Sequence, residues 1–238
     1  MKLEKITETH PNRSRSYADA CASAHALDLV GERWALLVIR ELMLGPKRFS
    51  DIRLSLPGIS ANVLTQRLEG LESAGVLRHR TLAPPSAAKV YELTEWGYEA
   101  EPVFQALGRW AARSPSHDPT LPFSTASLIL SLRTMFDAGK GEGFKGKIGL
   151  RIGGDSFLAR VKKARIQVVR GDLREADCVL SGESRILAAA VYGGQGLDDL
   201  EAAGLLTVTG ERALAVKFIR FFPLPDKAPR PADPVSFD

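Results

Sequence analysis

Apolar side chains fall into two rhythms along this chain, and the change between them divides it. From Tyr17 to Arg113 they recur at helical spacing. Leu27, Val30 and Trp34 come first, then Leu36 to Ile39 with Leu42, then Phe49, Ile52 and Leu56, then Val63, Leu64, Leu68 and Leu71. Spacings of three, four and seven place side chains on one face of an α-helix, so each set predicts a helix with one buried side. Gly31-Glu32-Arg33 marks the junction between an N-terminal helix and the next, which Gly45 ends. Pro57-Gly58 stops a helix over 48–56, because proline disfavours a helical residue before it and glycine admits the turn. Ser60 is placed to cap a further helix, which Gly75 can close in the left-handed conformation. Two helices joined by so short a turn make the helix-turn-helix unit. Val76 to Arg80 and Val90 to Thr94 read as strands around a loop containing Pro84-Pro85, a wing.

Ser114 to Pro122, rich in Pro and Ser, breaks the pattern and predicts a linker. Beyond it, an amphipathic helix is expected over 127–138, followed by an alternation of Ile148, Leu150 and Ile152. Gly153-Gly154-Asp155 turns into a second alternation, Phe157, Ala159 and Val161, which predicts a hairpin. Ile166 with Val168, and Cys178 to Leu180, suggest two more strands. Helices over 183–192 and 197–203, a short strand over 205–208 and a last helix over 212–222 complete the series. Strands first and helices afterwards read as an α+β domain with a mostly antiparallel sheet. The expected division is a polar arm over 1–16, a mainly α winged helix-turn-helix over 17–113, a linker over 114–122, an α+β domain over 123–224 and a disordered tail over 225–238.

The helix after Ser60 carries Asn62, Thr65, Gln66, Glu69 and Ser73 on its polar side. Amide and hydroxyl side chains can exchange hydrogen bonds with base edges in the major groove of double-stranded DNA. A merely solvated face would have the same spacing. Charge changes the picture locally. Between Lys47 and Lys89 there are seven Lys and Arg against three acids. Lys47, Arg48, Arg67, Arg78, Arg80 and Lys89 are therefore candidates for phosphate contacts, which supply affinity and register but no sequence choice. Ser60, Asn62, Thr65 and Gln66 are candidates to supply the choice. His79, within the basic strand, is expected to face phosphate or solvent. The whole chain, at net +4 and pI about 9.1, points only weakly to an anionic partner.

Length and composition, 238 residues with 45% hydrophobic and 25% charged, fit a soluble chain with two cores. No apolar run approaches the roughly 20 residues of a membrane span. Met1 to Arg15 is too polar for a signal peptide, so a cytoplasmic protein without a membrane partner is expected. Cys21 and Cys178 are too few and too far apart for a disulfide framework. Cys21 and His25 stand one helical turn apart without a recognisable third ligand, so no metal is expected. Gly193-Gly194-Gln195-Gly196 lies between helices and lacks the strand-to-helix setting that cradles phosphate. With no nucleophile and base at informative spacing, neither an enzyme nor a cofactor is expected.

Several of these stretches together resemble a known family. Cys21, Leu27 to Trp34, Leu42 to Ile52, Gly58 to Leu68 and Tyr91-Glu92-Leu93-Thr94-Glu95-Trp96-Gly97 are similar to the HxlR-type bacterial winged helix-turn-helix regulators, over about 20–113. The resemblance implies a homodimeric transcription factor with the helix after Ser60 in the major groove of a palindromic operator. It also implies a dimer interface formed by the N-terminal helix and a helix over 98–113, where Val103, Phe104, Leu107, Trp110 and Ala111 share a face. An internal core would carry the same pattern. Several family members use a cysteine at the position of Cys21 to detect electrophiles or oxidants. A thiol near Arg33 or at a helix start can be partly ionised, although cysteine is also a common small buried residue.

In the second half, Ala176 to Gly182, the helix to Tyr192 and Leu205 to Glu211 before the final helix are similar to sterol carrier protein domains, over about 120–225. That resemblance implies helices on a sheet around an apolar cavity. A small apolar ligand there could shift the dimer between conformations that fit or miss the operator; packed core is the alternative for the same residues. The competing functional reading is a protein-interaction or lipid-binding module whose winged helix does not read DNA.

Overall fold

The structure, a computed structural model, describes residues 16–229. The described chain forms two bodies, one from residues up to Ile39 together with Lys47–Gly97, the other from Arg40–Pro46 together with residues from Tyr98 onward. The expected N-terminal arm, apart from Ser16, and the end of the tail from Arg230 lie outside the described residues.

The first body contains α1 (Ala22–Val30), the start of α2 (Ala35–Leu42), α3 (Phe49–Ser55), α4 (Ala61–Ser73), β1 (Leu77–Thr81), β2 (Lys89–Leu93) and α5 (Glu95–Tyr98). Local signals set these boundaries. The Ser60 hydroxyl accepts from the Val63 N–H at 3.2 Å, satisfying one of the orphan amides of the first turn of α4. Gly75, at φ +74°, turns the chain out of that helix toward β1. Leu64, Leu68 and Leu71 are the buried face of α4, and Val38, Ile39, Ile52 and Leu56 are likewise buried. β1 and β2 pair antiparallel from Leu77↔Leu93 to Thr81↔Lys89, and Lys47 adds two backbone hydrogen bonds to Tyr91 along the outer side of β2.

One close approach ties the wing to the end of α4. The Thr94 hydroxyl donates to the Gly75 carbonyl at 2.8 Å and accepts the Gly97 N–H at 3.0 Å. Gly97 is buried, and a Cβ there would stand 2.1 Å from the Val76 carbonyl oxygen. Only glycine lets α5 come so near.

The second body contains α6 (Glu101–Ala112), α7 (Thr125–Met135), β3 (Lys147–Ile152), β4 (Asp155–Lys162), β5 (Arg165–Arg170), β6 (Cys178–Gly182), α8 (Ser184–Tyr192), α9 (Leu197–Ala202), β7 (Leu206–Gly210) and α10 (Arg212–Phe218), followed by a 3₁₀ turn over Ile219–Phe221. The sheet order is β5-β4-β3-β6-β7, antiparallel except for the parallel β3–β6 pair. Gly153-Gly154 makes the β3–β4 turn, as expected for a two-residue hairpin. Phe157, Phe218, Phe222, Leu128, Ile129 and Leu180 fill the space between sheet and helices. Both sheet edges are capped by side chains. Arg133 donates from Nε and Nη2 to the Val168 carbonyl of β5, and Glu201 accepts the Val208 N–H of β7 at 2.9 Å. Capped edges resist pairing with a second chain.

Three features depart from the sequence reading. The helix expected to be amphipathic over 127–138 is α7, buried at Ala126, Leu128, Ile129, Leu130, Leu132 and Thr134, because α6, α8 and β5 cover it on different sides. The helix expected over 98–113 is α6, which starts at Glu101, with the separate short helix α5 before it. The tail, expected to be disordered from Pro225, is held as far as Ala228. Lys227 Nζ donates to the carbonyls of Ala112 and Ser114, both at 3.1 Å, and the Ala228 N–H donates to that of Arg113 at 2.7 Å. The Ala112 and Arg113 carbonyls are orphans of the α6 C-terminus, and the tail satisfies them. Among the described residues, no helix is long and apolar enough to cross a membrane.

Gly97→Ala is expected to destabilise the chain by about 1–3 kcal/mol, since the new methyl must displace backbone rather than a flexible side chain. Urea unfolding of the two proteins checks this, and an unchanged midpoint would remove the close approach as a determinant of the wing.

Candidate nucleic-acid interface

The amide and hydroxyl side chains on α4 stand where the helical pattern places them. Asn62, Thr65, Gln66 and Glu69 are all exposed. Ser60 is exposed too, but its acceptor lone pair is engaged by the cap, leaving its proton to donate outward. The polar face is not uniform. Gln66, Glu69 and Ser73 line a groove of about 950 Å³ whose opposite wall includes Tyr17, Asp28 and Glu32. The start of that wall is pinned by Asp28, whose carboxylate accepts the Ser16 hydroxyl at 3.0 Å and the Tyr17 N–H at 2.9 Å.

The cations sort differently from their order in sequence. Arg67 turns away from the exposed set. Its side chain is only 14% exposed and its Nη1 lies 3.1 Å from Glu32, while its Nε is buried without a hydrogen-bond partner. On the wing, Arg78 and Arg80 converge on one carboxylate. Arg80 donates to Glu92 from Nε at 2.7 Å and from Nη2 at 3.2 Å, and Arg78 from Nη2 at 3.3 Å. The arginines beside it, Arg80 foremost, hold the Glu92 carboxyl below its ordinary pKa. His79 faces solvent, as expected, but it also locks the wing to α4. Its Nδ1 is 2.5 Å from Glu72 Oε1, and its backbone N–H donates to the same oxygen at 3.1 Å. These bonds lower the Glu72 pKa.

Lys47 Nζ donates to the Ser55 hydroxyl at 3.3 Å. Arg48 is exposed at the N-cap position of α3, and Lys89 is exposed at the end of β2 opposite Thr81. Arg53, on α3, is also exposed. Arg48, Arg53 and Lys89 have no ion-pair partner among the described residues. The sequence reading missed both acids that claim the arginines, because neither Glu92 nor Glu32 is marked by any local pattern. The hairpin register, which sets Glu92 directly opposite Arg78, is the one signal that could have singled out the first.

The remaining candidates lie apart from this surface. Cys21 is exposed at the N-cap position of α1. Its thiol closes no regular capping bond, yet the amides of Ser23 and then Ala24, with the Ser23 side chain, lower its pKa. Cys178 is buried in the core of the second body, and burial pushes its thiol up. On α6, Trp110 is 75%, Val103 51% and Leu107 41% exposed, with Phe104 half-buried. An internal core does not account for that stripe. In the second body, an open recess of about 580 Å³ is lined by Val191, Leu197, Val216, Ile219 and Phe222, with Lys140, Arg212 and Arg220 among its charged residues.

Residues 29–118 match the family model described as HxlR-like helix-turn-helix. The HTH-type transcriptional regulator YodB of Bacillus subtilis (strain 168) is 40% identical over 86 residues, covering 36% of this chain and 77% of that relative. The HTH-type transcriptional regulator sll1512 of Synechocystis sp. (strain ATCC 27184 / PCC 6803 / Kazusa) is 39% identical over 113 residues, covering 44% of this chain and 82% of that relative. Among solved structures, the reduced form of YodB from B. subtilis is 35% identical and covers 42% of this chain and 100% of its own, with a TM-score of 0.38.

Because the single Glu92 carboxylate engages both wing arginines and offsets one unit of their charge, Glu92→Gln is expected to raise affinity for duplex DNA of any sequence and to steepen its salt dependence. Binding isotherms at several salt concentrations check this; unchanged or weaker binding would mean that Arg78 and Arg80 do not reach phosphate. The same pair has a pH signature. A carboxylate whose folded pKa is depressed stabilises the fold above the ordinary glutamate range, and that contribution is lost as pH falls through the folded value. The stability difference between the parent and Glu92→Gln should therefore be constant above about pH 5 and close below about pH 4.

Proposed function

The chain belongs to the HxlR-like helix-turn-helix family, and on that footing we propose that it is a DNA-binding transcriptional regulator that reads its operator through α4. The observation that carries this reading is the exposed row of Asn62, Thr65 and Gln66 on a helix fixed at both ends, by the Ser60 cap and by the Glu72–His79 lock. Lys47, Arg48 and Lys89 hold phosphate beside it, Ser60 contributes its free proton, and Arg78 and Arg80 act as far as Glu92 releases them. Arg67 supports the base-facing helix from behind, through Glu32.

The regulator works as a homodimer, with Val103, Phe104, Leu107 and Trp110 of α6 covered by a second copy. A solvated stripe with Trp110 at its end is costly, and twofold pairing removes it from water. Two such readers bind a palindrome with half-sites about one helical turn apart.

Selection of sites from a random duplex pool tests the whole reading, and a palindromic motif is the expected result. Asn62→Ala and Gln66→Ala should each lose about 1–3 kcal/mol of discrimination at their own base positions. Trp110→Glu should sediment as a monomer and bind the palindrome far more weakly. A pool that enriches no motif would instead favour a module that binds protein or lipid.

Control is proposed at two places. The exposed thiol of Cys21, with its lowered pKa, is the candidate for sensing oxidants or electrophiles. The second body is read as a sterol-carrier-like module, its recess beside Leu197 and Phe222 taking an apolar ligand. Alkylation of Cys21 is expected to change operator affinity in the parent and leave Cys21→Ser untouched; equal affinity before and after alkylation removes the redox reading. The same assay with apolar ligands added decides the second site.

A further inference from the structure

We propose that the β4–β5 hairpin of the second body is a further contact for the phosphate backbone of double-stranded DNA. This rests on the reading of the chain as a DNA-binding regulator. Arg160, Lys162 and Arg165 share the outward face of the sheet, since Ala159, Val161, Ile166 and Val168 of the same strands point into the core. Lys163 stands at the turn between them. All four cations are exposed. Arg160 pairs with Glu175 at 2.5 Å, whereas Lys162, Lys163 and Arg165 have no ion-pair partner among the described residues.

The arrangement works against the hairpin's own stability in two ways. Lys162 and Arg165 are direct partners across the ladder, where like charges repel. The turn residues Lys163 and Ala164 both have positive φ, +50° and +57°, in a two-residue turn that normally takes Asn-Gly or Gly-Gly. The neighbouring β3–β4 turn uses Gly153-Gly154. A lysine in a left-handed turn beside two unpaired cations is a local conflict, and a polyanion resolves it by neutralising the repulsion. The contrast with the wing is direct, because there the arginines are already shared by Glu92.

The chemistry favours duplex phosphate over an anionic membrane. A membrane-surface patch sets Trp, Phe or Leu among its cations. Here the tip residue beside Lys163 is Ala164, Gln167 follows Arg165 on the same face, and the exposed apolar residue of the hairpin, Val169, lies at the far end of β5. Arginine and glutamine both donate to phosphate oxygens.

The test compares the full chain with the triple variant Lys162→Gln, Lys163→Gln, Arg165→Gln. A charge-matched control triple, Lys145→Gln, Arg185→Gln, Lys217→Gln, removes three exposed cations elsewhere on the second body. Binding is measured to the selected operator and to a random duplex of equal length across a salt series. The hairpin variant should bind both duplexes about tenfold or more weakly, with a salt slope shallower by roughly two to three and an unchanged ratio between operator and random DNA. Thermal melting at or above the parent's establishes that it folds. An unchanged slope, or an equal loss in the control triple, overturns the proposal. If the parent itself lacks sequence preference, the operator reading fails, and the random-duplex slopes still decide the hairpin. Loss of binding to phosphatidylglycerol vesicles with DNA binding intact would assign the patch to a membrane surface and overturn it as well.

Discussion

The first body depends on the contact between Gly97 and the Val76 carbonyl. With no side chain at Gly97, α5 lies directly over the turn that leads out of α4, and the Thr94 hydroxyl bonds both sides of the joint. The wing strands run from one side of this joint and return to the other. Their direction relative to α4 is thus set by backbone contact, which varies far less than contact between long side chains. The Glu72–His79 pair adds a second fixed point further along β1. The role proposed for α4 calls for such support, because hydrogen bonds to base edges tolerate little displacement.

Folding divides the cations of the first body into paired and unpaired sets. The basic stretch looks uniformly cationic in sequence, but folding assigns Arg67 to Glu32 and both wing arginines to Glu92. What stays exposed and without an ion-pair partner among the described residues there is a small set headed by Arg48 and Lys89. The β4–β5 hairpin of the second body differs, with Lys162, Lys163 and Arg165 exposed and without an ion-pair partner among the described residues.

In the second body a buried carboxylate plays the organising part. Glu41, at the C-terminal end of α2, has no exposed surface. It accepts Nε and Nη2 of Arg40 at 3.0 and 2.8 Å and the Ser124 hydroxyl at 2.7 Å. Ser124 also caps α7 by accepting the Ser127 N–H. A charge out of water is tolerated only when donors surround it, and removing one partner leaves the others exposed to that cost. The start of the most deeply buried helix is therefore bound to the residue type at position 41.

The order of the main elements, the cap of α4 and the glycine turns were determined by the sequence alone. Ser60 before α4, Gly75 after it, Pro57-Gly58 between the two helices and Gly153-Gly154 in the first hairpin of the second body are short-range signals, and helical or alternating spacing reports which side of an element is apolar. The exposed row on α4 was legible for the same reason. Tertiary structure alone decided which charges remain free, that α6 keeps Trp110 in solvent while α7 is covered on several sides, that β3 pairs parallel to β6, and that Lys227 seals the end of α6. Periodicity describes a side chain's direction relative to its own helix or strand. Burial and ion pairing depend on what lies across from it, and residues far apart in the chain, such as Glu32 and Arg67, come together only when the fold closes.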